Sequence, residues 1–182
     1  MKAVFLDRDG TINKEVNRLR NIKRLRLLPG AAKAIKTLND LGYIVAVVTN
    51  QAVVGRGLIT ENELDEIHRV LTQRLSKGGA HLHWIYYCPH HPEAKIKRYR
   101  MKCHCRKPNV GMIRKAVKQF KINPKQSFLI GDTTRDILTG KRAGLTTILV
   151  KTGYGGKDGE YEIKPDFIAR DLRGAVNIVG NK

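Results

Sequence analysis

Residues 3–11, Ala3-Val4-Phe5-Leu6-Asp7-Arg8-Asp9-Gly10-Thr11, carry the first strand pattern of this chain and, directly after it, two aspartates one residue apart. In an extended segment, residues i and i+2 point to the same side, so Asp7 and Asp9 face one pocket and Arg8 faces away. Two adjacent carboxylates repel each other and favour a cation, most simply Mg²⁺. One carboxylate could attack phosphorus while the other transfers protons. Alternatively, Asp-x-Asp-Gly is a solvated turn.

Short apolar runs and helical patterns alternate on both sides of this stretch. The strand-like runs are residues 3–6, 43–49, 83–88, 127–131 and 146–150. Between them, apolar residues recur at helical spacing in three segments: residues 30–41, 60–75 behind the capping box of Thr60 and Glu63, and 113–120. A fourth helix begins near Thr133 and ends at Gly144. This alternation predicts an α/β fold, a Rossmann-like parallel sheet with helices on both faces. We expect a single domain over residues 1–182, without a large cap domain.

Further polar groups follow the later strand runs. Thr49 ends the second run, where its hydroxyl could donate to phosphoryl oxygens, although a plain strand terminus looks the same. Asp132 ends the fourth run, and Asp136 lies one helical turn later, where an acidic residue also suits the helix dipole. Lys107 supplies a cation before a helix. Ligands of parallel sheets bind beyond the carboxyl ends of the strands, so these groups predict a phosphoryl-transfer site.

The order of four motifs resembles the haloacid dehalogenase superfamily. DRDGT at residues 7–11, the strand ending in TN, the lysine of CRKP and GDTTRD at residues 131–136 appear in the order of that superfamily, and the likeness runs from residue 2 to about residue 155. The resemblance implies that Asp7 is the nucleophile and that Asp9 is the general acid and then the general base. It implies that Thr49 and Lys107 stabilise the phosphoryl group. It also implies that Asp7, the Asp9 carbonyl and Asp132 bind Mg²⁺.

A cysteine-rich insert separates the third strand run from the next helix. Two i, i+2 pairs can aim four side chains at one ion and so predict a Cys₃His zinc site within residues 88–105, formed by Cys88, His90, Cys103 and Cys105. By the same geometry His91 and His104 point away. The alternative is three buried thiols and an exposed histidine. The insert is basic and poor in large apolar residues, so zinc would have to order it. Cys105 precedes Arg106 and Lys107, so a fixed Cys105 would fix these cations.

The insert, of the form CPHHP…CHCRKP, resembles that of the D-glycero-D-manno-heptose 1,7-bisphosphate 7-phosphatase family and, less closely, that of the histidinol-phosphate phosphatases. TNQAVVGRG at residues 49–57 also resembles the substrate loop of the heptose family. This match implies that four residues bind substrate: Asn50, Gln51, Arg56 and Arg106. Two features depart from the family pattern. Residues 14–18 are basic where the family is often acidic, and Thr133 stands where a lysine is frequent.

The net charge of +19 fits an anionic partner but does not identify it. We expect a small phosphorylated metabolite, and the rivals are histidinol phosphate, a nucleic-acid 3′-phosphate and a non-enzymatic nucleic-acid-binding module. The basic run at residues 18–26 has no interleaved aromatic residues for base stacking, so nucleic acid is the weaker reading. No apolar run approaches the ~20 residues of a membrane span. Together with the clustered cysteines, this predicts a cytoplasmic protein, with Mg²⁺ and Zn²⁺ as its cofactors. Because no large cap domain separates the motifs, we expect a monomer.

Overall fold

A computed structural model describes all 182 residues. The strands are β1 (Ala3–Leu6), β2 (Ile44–Asn50), β3 (Trp84–Cys88), β4 (Phe128–Gly131), β5 (Thr146–Val150) and β6 (Phe167–Ala169). The helices are α1 (Ala31–Asp40), α2 (Ala52–Gly55), α3 (Glu61–Ser76), α4 (Gly111–Phe120), α5 (Thr134–Arg142) and α6 (Leu172–Gly180). Short 3₁₀ turns lie at Ile22–Arg24, Lys97–Tyr99 and Pro124–Gln126.

All six strands form one parallel sheet in the order β3-β2-β1-β4-β5-β6. The central strand β1 is buried along its whole length, which is why it reads as a continuous apolar run. Its register pairs Leu6 with Val47 of β2 and with Ile130 of β4. The residues that follow these three strands therefore emerge at the same edge of the sheet.

Helices cover both faces of the sheet, as predicted. Val4 and Leu6 point into the larger apolar cluster, which includes the buried faces of α1, α3 and α6. Ala3 and Phe5 point into the smaller cluster, which includes α4. The alternation along β1 thus sends successive side chains into two cores, as the pleat of a strand requires.

Local capping sets two of the helix starts. Thr60 and Glu63 form the predicted capping box of α3, and Thr133 and Asp136 form a second one at α5. No separate cap domain interrupts the sheet. The connections at residues 7–30, 89–110 and 151–166 instead gather around its carboxyl edge. None of the helices is both long and apolar enough to cross a lipid bilayer.

Candidate active site

The carboxyl edge of the sheet and the connections around it enclose a cavity of about 360 Å³. Its walls contain every residue predicted for catalysis, substrate binding or Mg²⁺ binding, namely Asp7, Asp9, Thr49, Asn50, Gln51, Arg56, Arg106, Lys107 and Asp132. Residues separated by more than a hundred positions in the sequence are therefore gathered at one place. Arg8 does not line the cavity, in agreement with the predicted alternation.

Lys107 connects two carboxylates at the base of the cavity. Its ammonium group lies 2.9 Å from Asp7 Oδ1 and 2.5 Å from Asp136 Oδ1. Burial disfavours the charged lysine, but attraction by Asp136 and Asp7 outweighs it and raises the pKa of Lys107. Asp136 is fully buried and also accepts hydrogen bonds from the backbone N–H (3.2 Å) and hydroxyl (2.6 Å) of Thr133. Asp136 thus ties the cation to the start of α5.

The third carboxylate of the group, Asp132, has one satisfied oxygen and one orphaned oxygen. Its Oδ2 accepts a hydrogen bond of 2.8 Å from the backbone N–H of Tyr154, whereas its buried Oδ1 has no hydrogen-bond partner. A Cβ atom at Gly10 or Gly153 would overlap the Asp132 carboxylate, so both positions need glycine for this close approach. A buried, unpaired carboxylate oxygen is costly unless a cation occupies its free side.

Asp7, Asp132 and Asp136 each offer an oxygen within 4.8 Å of the others. Burial raises the pKa of Asp132 to about 8, with further contributions from the charges of Asp7 and Asp136. Burial likewise raises the pKa of Asp7 to about 6 although Lys107 opposes this. Clustered acids with raised pKa values and an orphaned oxygen fit a hard divalent cation such as Mg²⁺, which prefers oxygen ligands.

The carboxylate of Asp9 is held by four donors. Arg8 donates from Nε to Oδ1 (3.2 Å) and from Nη2 to Oδ2 (2.7 Å). Asn13 donates to Oδ1 (2.8 Å), and Gln51 donates to Oδ2 (3.0 Å). Burial opposes ionisation, but the charge of Arg8 and the hydrogen bonds from Arg8, Asn13 and Gln51 keep the pKa of Asp9 below its usual range.

The end of β2 contributes three consecutive polar side chains with different partners. The hydroxyl of buried Thr49 accepts a hydrogen bond of 2.8 Å from Gln51 Nε2, so its own O–H remains able to donate. Gln51 therefore bridges Thr49 and Asp9. Asn50 instead pairs with the backbone of Lys107, donating to its carbonyl (3.1 Å) and accepting from its N–H (3.0 Å).

Several positive side chains line the cavity in addition to Lys107. Arg56 approaches His91, with 3.5 Å between Nη2 and Nε2, and Arg106 donates to the carbonyl of His90 (3.2 Å). Arg18 and Arg135 line the same cavity, and Arg135 is paired with Glu160. Burial and the charge of Arg135 lower the pKa of Arg106. Burial and the charges of Arg106, Arg56 and Arg135 lower the pKa of His91, so these three arginines lie near it; we call them the cationic wall of the cavity.

The four predicted zinc ligands lie together beside this cavity. The separations between the three sulfur atoms are 3.4 Å for Cys88–Cys103, 3.1 Å for Cys88–Cys105 and 3.3 Å for Cys103–Cys105. His90 Nδ1 is 3.3 Å from Cys105 Sγ and 3.6 Å from Cys88 Sγ. Zn–S bonds of about 2.3 Å in a tetrahedron place sulfur atoms ~3.8 Å apart, so the cluster fits zinc after an outward shift of a few tenths of an ångström.

The metal cluster is physically connected to the cations of the active site. The backbone N–H of Arg106 donates to Cys103 Sγ at 3.3 Å, one residue before Lys107. His91 and His104 lie outside the cluster, as the spacing predicted: His91 lines the cavity and His104 is exposed. A filled zinc site would thus hold the loop that carries Arg106 and Lys107.

Sequence reasoning overlooked several residues of the site. The side chain of Arg8 is fully buried and turns back to Asp9, and its Nη1 contacts His68 of α3 at 3.1 Å. No local pattern marks His68, because an isolated histidine on an amphipathic helix reads as an ordinary packing residue.

The segment of residues 151–161 was also overlooked. Tyr154 there binds Asp132, and Asp158 accepts two hydrogen bonds from Thr134. Glycines 153, 155, 156 and 159, all with positive φ, were the available signal for an ordered turn-rich segment.

Comparison with known proteins agrees with the geometry of the site. A profile of the HAD-hydrolase-like family matches residues 104–175. The chain is 40% identical over 173 residues to the D-glycero-beta-D-manno-heptose-1,7-bisphosphate 7-phosphatase of Haemophilus ducreyi, and the match covers 94% of each chain. It is 34% identical to the D-glycero-D-manno-heptose-1,7-bisphosphate 7-phosphatase of Chlorobaculum tepidum, with 96% of this chain and 92% of the relative covered.

A solved structure gives the same result. The D,D-heptose 1,7-bisphosphate phosphatase from B. bronchiseptica, solved with magnesium and phosphate, superposes with a TM-score of 0.87 at 29% identity, over 100% of this chain and 99% of that chain. The fold and the carboxylate edge are those of haloacid dehalogenase-like phosphatases, a class of phosphoric monoester hydrolases. Within that class, the chain belongs to the D-glycero-D-manno-heptose-1,7-bisphosphate 7-phosphatase family.

Proposed function

We propose that this protein is a Mg²⁺-dependent phosphatase that removes the 7-phosphate from D-glycero-D-manno-heptose 1,7-bisphosphate through an aspartyl-phosphate intermediate. The observation that carries the chemistry is the 2.9 Å contact between Lys107 and Asp7 inside the cavity. A carboxylate beside a fixed cation can attack a phosphate ester without strong repulsion between the two anions. The substrate assignment is supported by relatives of that name that are 40% and 41% identical to this chain.

In the first half-reaction, a carboxylate oxygen of Asp7 attacks phosphorus and forms the new P–O bond. The bond between phosphorus and the oxygen on C7 breaks, and Asp9 in its protonated form gives a proton to that oxygen, so that the sugar leaves as an alcohol. Displacement of the Gln51 donor by the substrate removes one of the hydrogen bonds that favour the ionised form of Asp9. Lys107 and the hydroxyl of Thr49 donate to the phosphoryl oxygens while their charge is redistributed.

In the second half-reaction, Asp9 takes a proton from water as the water oxygen attacks phosphorus. The bond between phosphorus and the Asp7 oxygen breaks and inorganic phosphate leaves, which regenerates both carboxyl groups. Asp132, Asp7 and the backbone carbonyl of Asp9 would hold the magnesium ion. When bound, Mg²⁺ neutralises negative charge on the phosphoryl oxygens and draws the repelling carboxylates together.

The cationic wall accounts for the second phosphate of the substrate. Arg56 and Arg106 contact the end of the sugar that is remote from Asp7 in this proposal, and Asn50 and Gln51 complete the substrate-binding set. The volume of about 360 Å³ lies within the range of small-ligand sites. Zinc has a structural role in the loop of residues 88–105, and we infer a monomer that works in the cytoplasm, where thiols stay reduced.

A direct comparison of substrates tests this proposal. We would measure kcat/KM for both anomers of the heptose 1,7-bisphosphate, for histidinol phosphate and for a 3′-phosphorylated oligonucleotide, each over a salt series. We expect a heptose bisphosphate to be preferred, with only a shallow decrease as salt rises. Preference for the oligonucleotide, with affinity falling as a steep power of salt, would overturn the sugar assignment while preserving the phosphatase chemistry.

A further inference from the structure

The guanidinium of Arg8 lies outside the cavity and is fully buried. Its Nη2 donates to Asp9 Oδ2 (2.7 Å) and to Gln51 Oε1 (2.9 Å), and its Nε donates to Asp9 Oδ1 (3.2 Å). Its remaining nitrogen, Nη1, lies 3.1 Å from Nε2 of His68. A buried guanidinium is tolerated only when its donors are paired, and here every terminal nitrogen has a partner.

The contact with His68 defines the protonation state of that histidine. A guanidinium can only donate, so Nε2 of His68 must accept and the ring must be neutral. Burial, together with the charge of Arg8, lowers the pKa of His68 to about 3, which agrees with a neutral ring. His68 lies on α3 with 7% of its surface exposed, packs near Tyr87 with 5.6 Å between ring centroids, and does not line the cavity.

The donors around Asp9 fall into two groups. Arg8 and Asn13 reach the carboxylate from outside the cavity, whereas Gln51 lines the cavity. Because Gln51 is the one of these three donors that lines the cavity, we infer that its hydrogen bond is the one that an oxygen of the substrate replaces. The bidentate Arg8 contact would then remain as the fixed support of the carboxylate while one oxygen engages the substrate.

We propose that Arg8 and His68 are positioning residues that hold Asp9 in place for proton transfer to the leaving oxygen, so that helix α3 contributes to catalysis without touching the substrate. The inference rests on the proposed acid–base role of Asp9. His68 orients Arg8 through one contact, and Arg8 in turn orients Asp9 through two parallel hydrogen bonds. A small displacement of a proton-transfer group costs rate, because the donor must lie within hydrogen-bond reach of the leaving oxygen.

A purely structural ion pair and a positioning pair differ in one measurable respect. Protonation of the leaving group matters for a basic sugar alkoxide and matters little for p-nitrophenolate, which leaves without a proton. Loss of positioning at Asp9 therefore slows a sugar phosphate much more than p-nitrophenyl phosphate. General loss of folding or of metal binding slows both esters alike.

The test uses the full chain with Mg²⁺ and zinc bound, and measures kcat/KM for the heptose bisphosphate and for p-nitrophenyl phosphate. His68→Leu removes the acceptor for Arg8, and His68→Gln restores one. Arg8→Gln removes the bidentate contact, and Asp9→Asn is the reference for complete loss of the proton donor. We expect His68→Leu to lower the sugar-phosphate value about 10-fold and Arg8→Gln about 100-fold, with less than about 3-fold loss on p-nitrophenyl phosphate. His68→Gln should stay within about 3-fold of the wild type on both esters.

Each other outcome is informative. Equal losses on both esters in His68→Leu, or no rescue by His68→Gln, would overturn the positioning role while leaving the phosphatase function intact. If Asp9→Asn lowers kcat/KM for both esters by the same factor, Asp9 is not the general acid, and the proposed mechanism fails together with this inference. Should Arg8→Gln fail to fold, as judged by circular dichroism, the two His68 variants still decide the question.

Discussion

The side-chain amide of Asn50 forms a pair of hydrogen bonds with the backbone of Lys107, donating to its carbonyl at 3.1 Å and accepting from its N–H at 3.0 Å. Asn50 ends β2, and Lys107 lies in the loop that follows the cysteine-rich insert, 57 positions later. The pairing fixes the backbone of Lys107 relative to the sheet, whereas Asp7 and Asp136 fix its ammonium group. The cation of the site is thus held from both ends.

Replacement of Asn50 by alanine tests this relationship. If Asn50 acts mainly by holding Lys107, Asn50→Ala should lower kcat about 10-fold or more with little change in KM. The reason is that the ammonium group of Lys107 is then no longer held in position to contact the phosphoryl group. Steady-state kinetics on the bisphosphate measures both constants. A large rise in KM at constant kcat would instead assign Asn50 to substrate binding alone.

Replacement of the proposed nucleophile should abolish turnover. Asp7→Asn keeps the shape of the side chain but removes the attacking charge, so we expect kcat to fall by several orders of magnitude while the thermal transition and circular dichroism remain those of a folded protein. Asp40→Asn, on the exposed end of α1, is the matched control and should keep full activity. Substantial turnover by Asp7→Asn in the presence of Mg²⁺ would sink the covalent mechanism.

Sequence reasoning succeeded where the determinants are local. The apolar run of β1, the alternation behind DRDGT and the capping box at Thr60 each depend on neighbouring residues, and the structure contains all three. It overlooked β6, three residues at the sheet edge with Ile168 more than half exposed, because so short a strand has no alternation to detect. It also overlooked α6, although Asp171 and the spacing of its apolar residues were a readable signal.

Long-range side-chain partnerships could not be predicted from the sequence. Arg8 was correctly expected to leave the strand on the side away from the pocket, but a long side chain can turn back, and its guanidinium meets Asp9 and His68. The second of these contacts joins residues 60 positions apart and depends on how α3 packs. Such contacts arise from tertiary packing rather than from any periodic pattern.

The cysteine cluster makes a stoichiometric prediction. We expect elemental analysis to find one zinc per chain, and Cys103→Ser to lose it, to become more sensitive to proteolysis within residues 89–107 and to lose activity, because Arg106 and Lys107 are tied to the cluster. His104→Gln is the matched control, since His104 lies in the same loop but outside the cluster. Zinc-free protein with unchanged cleavage and unchanged activity would contradict the structural role.

The clustered acids make the stability of Mg²⁺-free protein depend on pH. The raised pKa values of Asp7 (about 6) and Asp132 (about 8) mean that the folded state binds protons that the unfolded state has already released above its usual pKa of 3.8. The contribution of these two acids to stability therefore falls as pH rises from about 4 to about 8. At pH 8, Asp132→Asn should raise the melting temperature of Mg²⁺-free protein, and this effect should shrink steadily to its smallest near pH 4, where Asp132 is protonated in the folded state and the unfolded state also retains much of its proton.

Differential scanning calorimetry in Mg²⁺-free buffer that retains zinc measures this effect, and addition of Mg²⁺ should stabilise the wild type most at high pH. Asp40→Asn, whose side chain is exposed and paired with Lys36, is the control and should reproduce the wild-type pH profile. An identical pH profile for Asp132→Asn and the wild type would show that the pKa of Asp132 is not raised in the folded protein.

Arg56 and the exposed basic residues between Arg20 and Arg26 offer competing surfaces for recognition of the substrate, whereas Arg18 lines the cavity together with Arg56. Arg56 lines the cavity beside His91, whereas Arg20 is exposed and does not line it. If the remote phosphate binds at the cationic wall, Arg56→Ala should lower kcat/KM for the 1,7-bisphosphate about 10-fold to 100-fold, the effect of losing a charge-assisted contact. The same variant should lose far less kcat/KM on heptose 7-phosphate, which lacks the remote phosphate.

Arg20→Ala is the control, because it removes the same charge from the exposed surface. It should change only the salt dependence of substrate capture, and only slightly. Larger losses in Arg20→Ala and Arg24→Ala than in Arg56→Ala would make the basic segment the recognition surface and would overturn the heptose bisphosphate assignment.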